Sequence, residues 1–351
     1  MLKKFLITFI ILICGGVAAL IFYPSEKVAL FDEPKESQEV SENTQNQNLI
    51  ETPLPTQAEK IQEGGQNPQN TVTLMFVGDV MLSRQVGKKM EKENNWKWPF
   101  LKIADTLKEA DILFGNLEGP ISDKGKNIGS IYSFRTDPRA IEGLNFAGFD
   151  VLSVANNHIL DWDREAMEDT LRKLKEAGIN YVGGGFNEEE AHSAALKEAG
   201  GLKFAFLGYC GVGTEYWEAQ KDKSGIAWLK KERLKEDIEK AKALADLVFV
   251  SMHFGEEYQT KQNSEQKDFA RLAIDAGADL VIGHHPHVLQ PIENYKNGYI
   301  AYSLGNFVFD QTFSPQTKES VVLKIIVENG KIKVVIPLKA EISNDFQPYI
   351  K

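Results

Sequence analysis

The sequence predicts an α/β sandwich. From Thr71 onward, apolar β-rich runs alternate with helix-like stretches, and in the last fifty or so residues that alternation gives way to consecutive β segments. Each strand-like run also delivers polar residues at its C-terminal end. Alternation argues for helices packed on sheets, and ligands of such sheets gather beyond the strand C-termini.

Residues 71–77 are β-rich and end at Gly78-Asp79; residues 111–114 end at Gly115-Asn116; residues 150–154 end at Ala155-Asn156. Helical stretches are expected at 98–110, 138–148 and 163–178, the last opening on Asp163 as a cap and closing at a glycine. The pattern continues with a strand at 203–207, a helix at 230–245, a strand at 247–251 leading to His253, a helix at 264–276, and a strand at 280–282 ending at Gly283-His284. Segments 298–303, 319–327 and 331–338 then read as β, the last two joined by the hairpin turn Asn329-Gly330. Gly183-Gly184-Gly185 lacks the flanking pattern of a phosphate-binding loop and reads as a tight turn.

With 351 residues, 42% hydrophobic and 26% charged, the chain can hold one large domain or two small ones around a substantial core. Lys3 and Lys4 precede an uncharged apolar run over 5–22 that stops before Pro24, roughly long enough to cross a bilayer at about 1.5 Å per residue. The lysines place that end in the cytoplasm and the rest outside. A cleaved signal peptide ending near Val17-Ala18-Ala19 competes with this reading, but the run continues through Leu20-Ile21-Phe22, which favours an uncleaved anchor. Cys14 follows Ile13, a poor context for lipidation. Residues 24–70, rich in Glu, Gln, Asn, Pro and Ser, cannot bury enough apolar surface to offset their ordering entropy and read as a flexible tether. The expected organisation is an anchor at 1–23, an acidic linker at 24–70, a globular domain at 71–340 and a tail at 341–351. The expected location is the cell membrane, single-pass, with the domain outside the cytoplasm. Only Cys210 lies beyond the apolar run, so no intrachain disulfide framework is expected. A formal net charge of −10 leaves no basic patch for nucleic acid.

Five of the six histidines fall in three short motifs, Asn156-Asn157-His158, Ser251 to Glu256, and Gly283-His284-His285-Pro286-His287. Neutral imidazole is the commonest protein metal ligand, so this clustering points to a metal site on strand ends. His192, in a charged helical stretch, reads as surface. Together the strand ends supply Asp79, Glu118, Asn157, His158, His253, His284, His285 and His287. That mixed oxygen and nitrogen set suits one or two divalent transition ions, Mn, Zn or Fe, better than Ca²⁺. A carboxylate such as Glu118 can bridge two ions about 3.5–4 Å apart and so favour displacement at phosphorus. Taken singly, Asp79 also reads as a helix cap, Glu118 as a loop acid, Asn157 as a turn residue and His253 as a structural histidine. Three imidazoles in four residues after a buried strand have little structural use.

Six ordered motifs make the reading specific: Phe76 to Leu82, Gly115 to Gly119, Ala155 to Asp161, His253 to Tyr258, Gly283 to His287, and Tyr302 to Phe307. In this order the chain resembles the CapA family of capsule, or poly-γ-glutamate, biosynthesis, a branch of the calcineurin-like metallophosphoesterases. The resemblance implies a four-layer αββα sandwich of metallophosphoesterase type with a two-metal centre. It implies Asp79, Glu118, Asn157, His253, His285 and His287 as metal ligands, with His284 an alternative for His285, and His158 beside Asn157 in catalysis. One departure stands out: the superfamily's first motif is Asp-x-His, and this chain has Asp79-Val80-Met81, whose thioether is a poor ligand for a hard metal. Arg84, Arg135, Glu256 and Asn306 follow apolar stretches and are candidates for substrate contact, Arg135 through a forked contact to phosphate or carboxylate. The expected function is that of a membrane-anchored capsule-synthesis protein. Its partners would be an anionic surface polymer or a phosphoester, together with membrane synthesis or export proteins. A dedicated phosphoesterase and a non-catalytic polymer-handling subunit are the rival readings.

Overall fold

Strand β1 (Thr71–Val80) runs through the centre of a computed structural model that describes residues 71–351. Its side chains alternate between two cores: Val72, Leu74 and Phe76 enter one, Met75 and Val77 the other. The expected anchor and linker, residues 1–70, lie outside the described residues. Among the described residues no helix is long and apolar enough to cross a membrane.

In chain order, β1 is followed by α1 (Arg84–Lys92), α2 (Ala104–Leu107), β2 (Ile112–Leu117), α3 (Ile141–Ala147), β3 (Val151–Ser153), α4 (Asp163–Glu176), β4 (Asn180–Val182) and β5 (Gly184–Gly185). Next come α5 (Glu188–Ala191), β6 (Ala195–Ala199), β7 (Leu202–Cys210), β8 (Gly225–Ile226), α6 (Lys231–Lys242), β9 (Leu247–His253), α7 (Ser264–Ala276) and β10 (Leu280–His284). The chain ends in β11 (Ile292–Tyr295), β12 (Gly298–Ala301), β13 (Asn306–Val308), β14 (Glu319–Glu328), β15 (Lys331–Ile342) and β16 (Pro348–Ile350).

Among the described residues these strands form two large mixed sheets, one of order β16-β15-β14-β1-β2-β3-β4 with β13 also on β1, the other of order β11-β12-β10-β9-β7-β6. The sheets pack face to face through Leu74, Phe76 and Phe114 on one side and Phe204, Phe206, Phe249 and Ile282 on the other. Phe114 stacks on Phe206 at 5.7 Å and Phe76 meets Phe249 edge-on at 5.4 Å. Such pairs each contribute about 0.5–1.5 kcal/mol beyond burial. The outer face of the first sheet is covered by α1, α3 and α4 through Met90, Leu144, Met167 and Leu171. α6 and α7 cover the second through Leu234, Ile238, Ala270 and Ala273. The layering is therefore helix, sheet, sheet, helix.

β1 to β4 are mutually parallel, as are β7, β9, β10 and β12, so in each sheet these strands' C-terminal ends share an edge. Two close approaches align the edges. A Cβ on Gly78 would lie 1.9 Å from the Gly305 carbonyl, and one on Gly283 would lie 1.9 Å from that of Tyr302. Glycine at both positions lets the segment 302–305 cross the ends of β1 and β10.

Helix α7 begins and ends where expected, closed by a capping box in which Asn263 Oδ1 accepts from Gln266 N–H at 2.8 Å and Gln266 Oε1 from Asn263 N–H at 3.0 Å. Other expectations are corrected. Residues 98–110 give a 3₁₀ turn over Trp98–Phe100 and only the short α2, because Pro99 starts the turn and Ile103 leaves helical geometry. Asp163 lies inside α4, with Trp162 at the cap position and a left-handed φ of 67° at Asp163. The 230–245 helix is confined to Lys231–Lys242. The glycine triplet is a packing device as well as a turn: Gly184–Gly185 form β5 against β8, and a Cβ on Gly183 would meet Ala155 at 2.5 Å. The expected tail completes β15 and adds β16 against it. His192, expected at the surface, is buried, and its Nδ1–H donates to Asp237 Oδ2 at 2.7 Å.

Candidate metal centre

Parallel register sets Asp79 beside Asn116 on β2 and beside Asn306 on β13 in the first sheet. In the second it sets His253 of β9 beside His284 of β10. Where the two edges meet, Asn116 Nδ2 donates to Asp79 Oδ1 at 2.8 Å and lies 3.4 Å from His253 Nδ1. Asn156 Nδ2 donates to Asn116 Oδ1 at 3.1 Å. His284 Nδ1–H donates to Asp79 Oδ1 at 3.1 Å, and the His285 backbone N–H to Asp79 Oδ2 at 3.3 Å. Asp79 is fully buried. Burial alone would raise its carboxyl, but the hydrogen bonds and charge of His284 and His287 outweigh burial and hold it well below the usual range.

Glu118, just beyond β2, differs. Its side chain is buried, yet neither carboxylate oxygen has a hydrogen-bond partner among the described residues. His287 Nε2 lies 3.8 Å and His158 Nε2 3.9 Å from its Oε1, beyond hydrogen-bond reach. Burial first, then the neighbouring Asp79 charge, pushes its carboxyl well above the ordinary value. His284 Nε2 and His285 Nδ1 are likewise buried without a hydrogen-bond partner. A buried orphan costs about 1–3 kcal/mol, so several in one place call for an explanation.

The histidine turn is built for display. His285 and His287 hold left-handed φ values of 96° and 58°. The His285 ring lies 4.9 Å from His253's and 5.7 Å from His287's. His253 Nε2 is 2.8 Å from Asn157 Oδ1. Burial, followed by the charge of His285, keeps His253 well below the usual histidine value, and burial with His287 holds His285 at about 3. For His287, burial is outweighed by Glu118 and Asp79, which lift it to about 9. Two sets of ligand atoms each fit within 4.8 Å, Asp79–Glu118–His287 and Glu257–His285–His287. The orphaned Glu118 oxygens, the neutral imidazoles and an acidic pocket that draws positive charge onto His287 all fit a divalent cation.

His158 stands at the rim of this cluster. Its Nδ1–H donates to Asp161 Oδ2 at 2.8 Å, which leaves Nε2 facing Glu118. Asp161 Oδ2 also accepts the Phe134 backbone N–H at 2.8 Å, and the Phe134 ring stacks on the imidazole at 3.9 Å. The ring is thereby fixed in tautomer and in plane.

The candidates for substrate contact separate. Arg84 pairs with Asp310 at 3.0 Å and lies over Phe134 at 5.5 Å, close to the rim. Arg135 is exposed and stacked on Trp162 at 3.6 Å. Asn306 is fully buried: its Oδ1 accepts His287 Nδ1–H at 2.9 Å, and its Nδ2 donates to Gln311 Oε1 and the Thr317 carbonyl. It holds His287 from behind rather than facing a substrate. Glu256 is exposed and bonded to Asn263 at 3.4 Å, while the next residue, Glu257, is the one that joins the histidines. Met81 is buried, and its sulfur accepts from the Ser83 backbone N–H at 3.2 Å and hydroxyl at 3.0 Å. Sequence reasoning passed over Asn116, Asn156, Asp161 and Glu257, although each lies inside a motif singled out for other residues. The polar spacing Asn-Asn-His-x-x-Asp was the signal for Asp161.

A family described as "Bacterial capsule synthesis protein PGA_cap" matches residues 73–311. The "Capsule biosynthesis protein CapA" of Bacillus anthracis is 36% identical over 284 residues, covering 77% of this chain and 68% of its own. The "PGA biosynthesis protein CapA" of Bacillus subtilis (strain 168) is 33% identical over 264 residues, covering 74% and 69%. The crystal structure of the calcineurin-like phosphoesterase YfkN from Bacillus subtilis aligns with a TM-score of 0.43 at 14% identity, over 81% of this chain and 91% of that one.

Proposed function

We propose, for a chain that belongs to the bacterial capsule synthesis family PGA_cap, that it is a metal-dependent hydrolase of capsule or poly-γ-glutamate synthesis, with a sandwich of metallophosphoesterase type, tethered to the outer side of the cell membrane. The tether rests on the apolar run at 5–22 behind Lys3 and Lys4. The observation that carries the catalytic reading is the buried Glu118 carboxyl, without a hydrogen-bond partner among the described residues and with His287 Nε2 at 3.8 Å and His158 Nε2 at 3.9 Å. Asp79, Glu118, Asn157, His253, His285 and His287 would hold one or two divalent ions of the Mn, Zn or Fe kind. When bound there, such an ion supplies Lewis acidity toward an anionic oxygen.

The remaining chemistry belongs to the chain. Asp161 orients the His158 ring through Nδ1–H, so Nε2 is the atom that would exchange a proton with a departing oxygen. Phe134 excludes water from one face of that imidazole. Arg84 and Arg135 at the rim suit an anionic phosphoester or polymer, and membrane synthesis or export proteins are the expected partners. Met81 favours a second reading, a polymer-handling subunit without turnover, because its sulfur is occupied by Ser83 and offers one metal position no imidazole.

The test uses the full chain, its metal content, and panels of phosphodiesters and phosphomonoesters. His158→Ala should retain metal and lose roughly 10²–10⁴-fold in rate, whereas His253→Ala should lose both. A wild-type protein that carries metal and binds poly-γ-glutamate yet hydrolyses nothing would replace the enzyme reading with the second one.

A further inference from the structure

Glu257 is an exposed carboxylate in the loop after β9, and its ligand atom lies within 4.8 Å of those of His285 and His287. An exposed acid near histidines is ordinary; the bracing of this one is not. The backbone N–H of Tyr258 donates to the Pro286 carbonyl at 2.8 Å, so the loop is tied to the middle of the histidine turn. Tyr258 takes a left-handed φ of 62° to do so. Its hydroxyl accepts from Gln311 Nε2 at 3.1 Å. Gln311 Oε1 accepts from Asn306 Nδ2, and Asn306 Oδ1 accepts from His287. A chain of hydrogen bonds therefore runs from Tyr258 through Gln311 and Asn306 to His287, whose ligand atom lies within 4.8 Å of that of Glu257.

The tie between Tyr258 and Pro286 holds a hard oxygen donor at the exposed side of the cluster, whereas Asp79 and Glu118 are buried. It does so in a chain where Met81 supplies no imidazole and turns its sulfur toward Ser83. We propose that Glu257 is a metal-ligating carboxylate, closing the centre from the solvent side with His285 and His287 and supplying a donor that Met81 does not. A carboxylate in place of an imidazole would favour a harder ion such as Mn²⁺. The inference rests on the metal reading above. Glu256, one residue earlier, carries the same charge but bonds to Asn263 and belongs to neither ligand set, which makes it the natural control.

The experiment is calorimetric titration of Mn²⁺ into the metal-stripped full chain, as wild type, Glu257→Gln and Glu256→Gln. Both positions are exposed, so neither change should disturb folding, and thermal unfolding of the metal-free proteins checks this. Expected is loss of one Mn²⁺ equivalent, or at least about a tenfold weakening, for Glu257→Gln, with Glu256→Gln equal to wild type. Wild-type behaviour of Glu257→Gln would overturn the inference alone. Equal weakening by both variants would reduce Glu257 to a contributor to the general field and also overturn it. A wild type that binds no Mn²⁺, Zn²⁺ or Fe²⁺ would remove the metal reading itself.

Discussion

Among the described residues lie two buried clusters of imidazole and carboxylate, and they differ in what is left unpaired. Around Asp237 of α6, one oxygen accepts from His192 Nδ1–H at 2.7 Å and from the Tyr209 hydroxyl at 3.1 Å, and the other lies 3.3 Å from Arg233 Nε. Around Glu118 both carboxylate oxygens lack a hydrogen bond, and His284 Nε2 and His285 Nδ1 lack one as well. In the first arrangement imidazole, carboxylate and phenol are hydrogen-bonded to one another, tying the end of α5 and β7 to α6, and only Arg233 Nε is left without a hydrogen bond. The second is an arrangement that a cation would complete, since protein interiors otherwise pair their polar groups. Residue type alone does not separate the two; partner count does.

The sharpest way to break the comparison is to alter both clusters in parallel. His285→Ala with His287→Ala should abolish metal binding while unfolding remains cooperative, as measured by elemental analysis and circular dichroism. His192→Ala should do the reverse, leaving metal content unchanged and costing about 2 kcal/mol in urea unfolding, because a buried carboxylate loses its strongest partner. Metal loss in His192→Ala would erase the distinction between the clusters.

Glu118→Gln sharpens it further. In metal-free protein the substitution replaces a buried carboxyl that has no hydrogen-bond partner among the described residues, so stability should hold or rise by about 1 kcal/mol while metal affinity falls. A clearly destabilised metal-free variant would mean that the carboxylate already has a structural partner.

The smallest effect concerns the loop that carries Glu118 away from β2. Asp169 of α4 accepts from Ser122 Oγ at 2.6 Å and pairs with Lys124 at 2.8 Å. Burial would raise its carboxyl, but bonds from Lys124, Lys173 and Ser122 lower it from 3.8 to about 2. Its contribution to stability is therefore complete above pH 3.8 and is lost as pH falls from there through about 2. Asp169→Asn should remove that part of the acid sensitivity, visible as a flatter difference in urea midpoint between pH 4 and pH 2.

Much of the candidate site was legible because its signals are local. Gly78-Asp79, Asn157-His158, His253 and Gly283 to His287 all follow apolar runs, and a parallel strand delivers its last residues to a common edge whatever lies beside it. Helix α7 was legible for the same reason, since Asn263 and Gln266 close its first turn through neighbours in the chain. The glycines at 78 and 283 were visible as letters, but not the crossing strands that require them.

By itself, then, the sequence determined the order of the elements, the family, the histidine motifs and the departure at Met81, all of which depend on residue identity and short spacing. The tertiary structure decided which polar groups are satisfied. His192 became a core residue because Asp237, 45 positions away, reaches it. Asn306 became the support of His287 because β13 pairs with β1. Glu257 rather than Glu256 lies within 4.8 Å of the His285 and His287 ligand atoms, in a loop that Tyr258 ties to Pro286. Each outcome turns on ångström-scale proximity between residues distant in the chain, and the energy of a buried polar group depends on that proximity far more than on its neighbours in sequence.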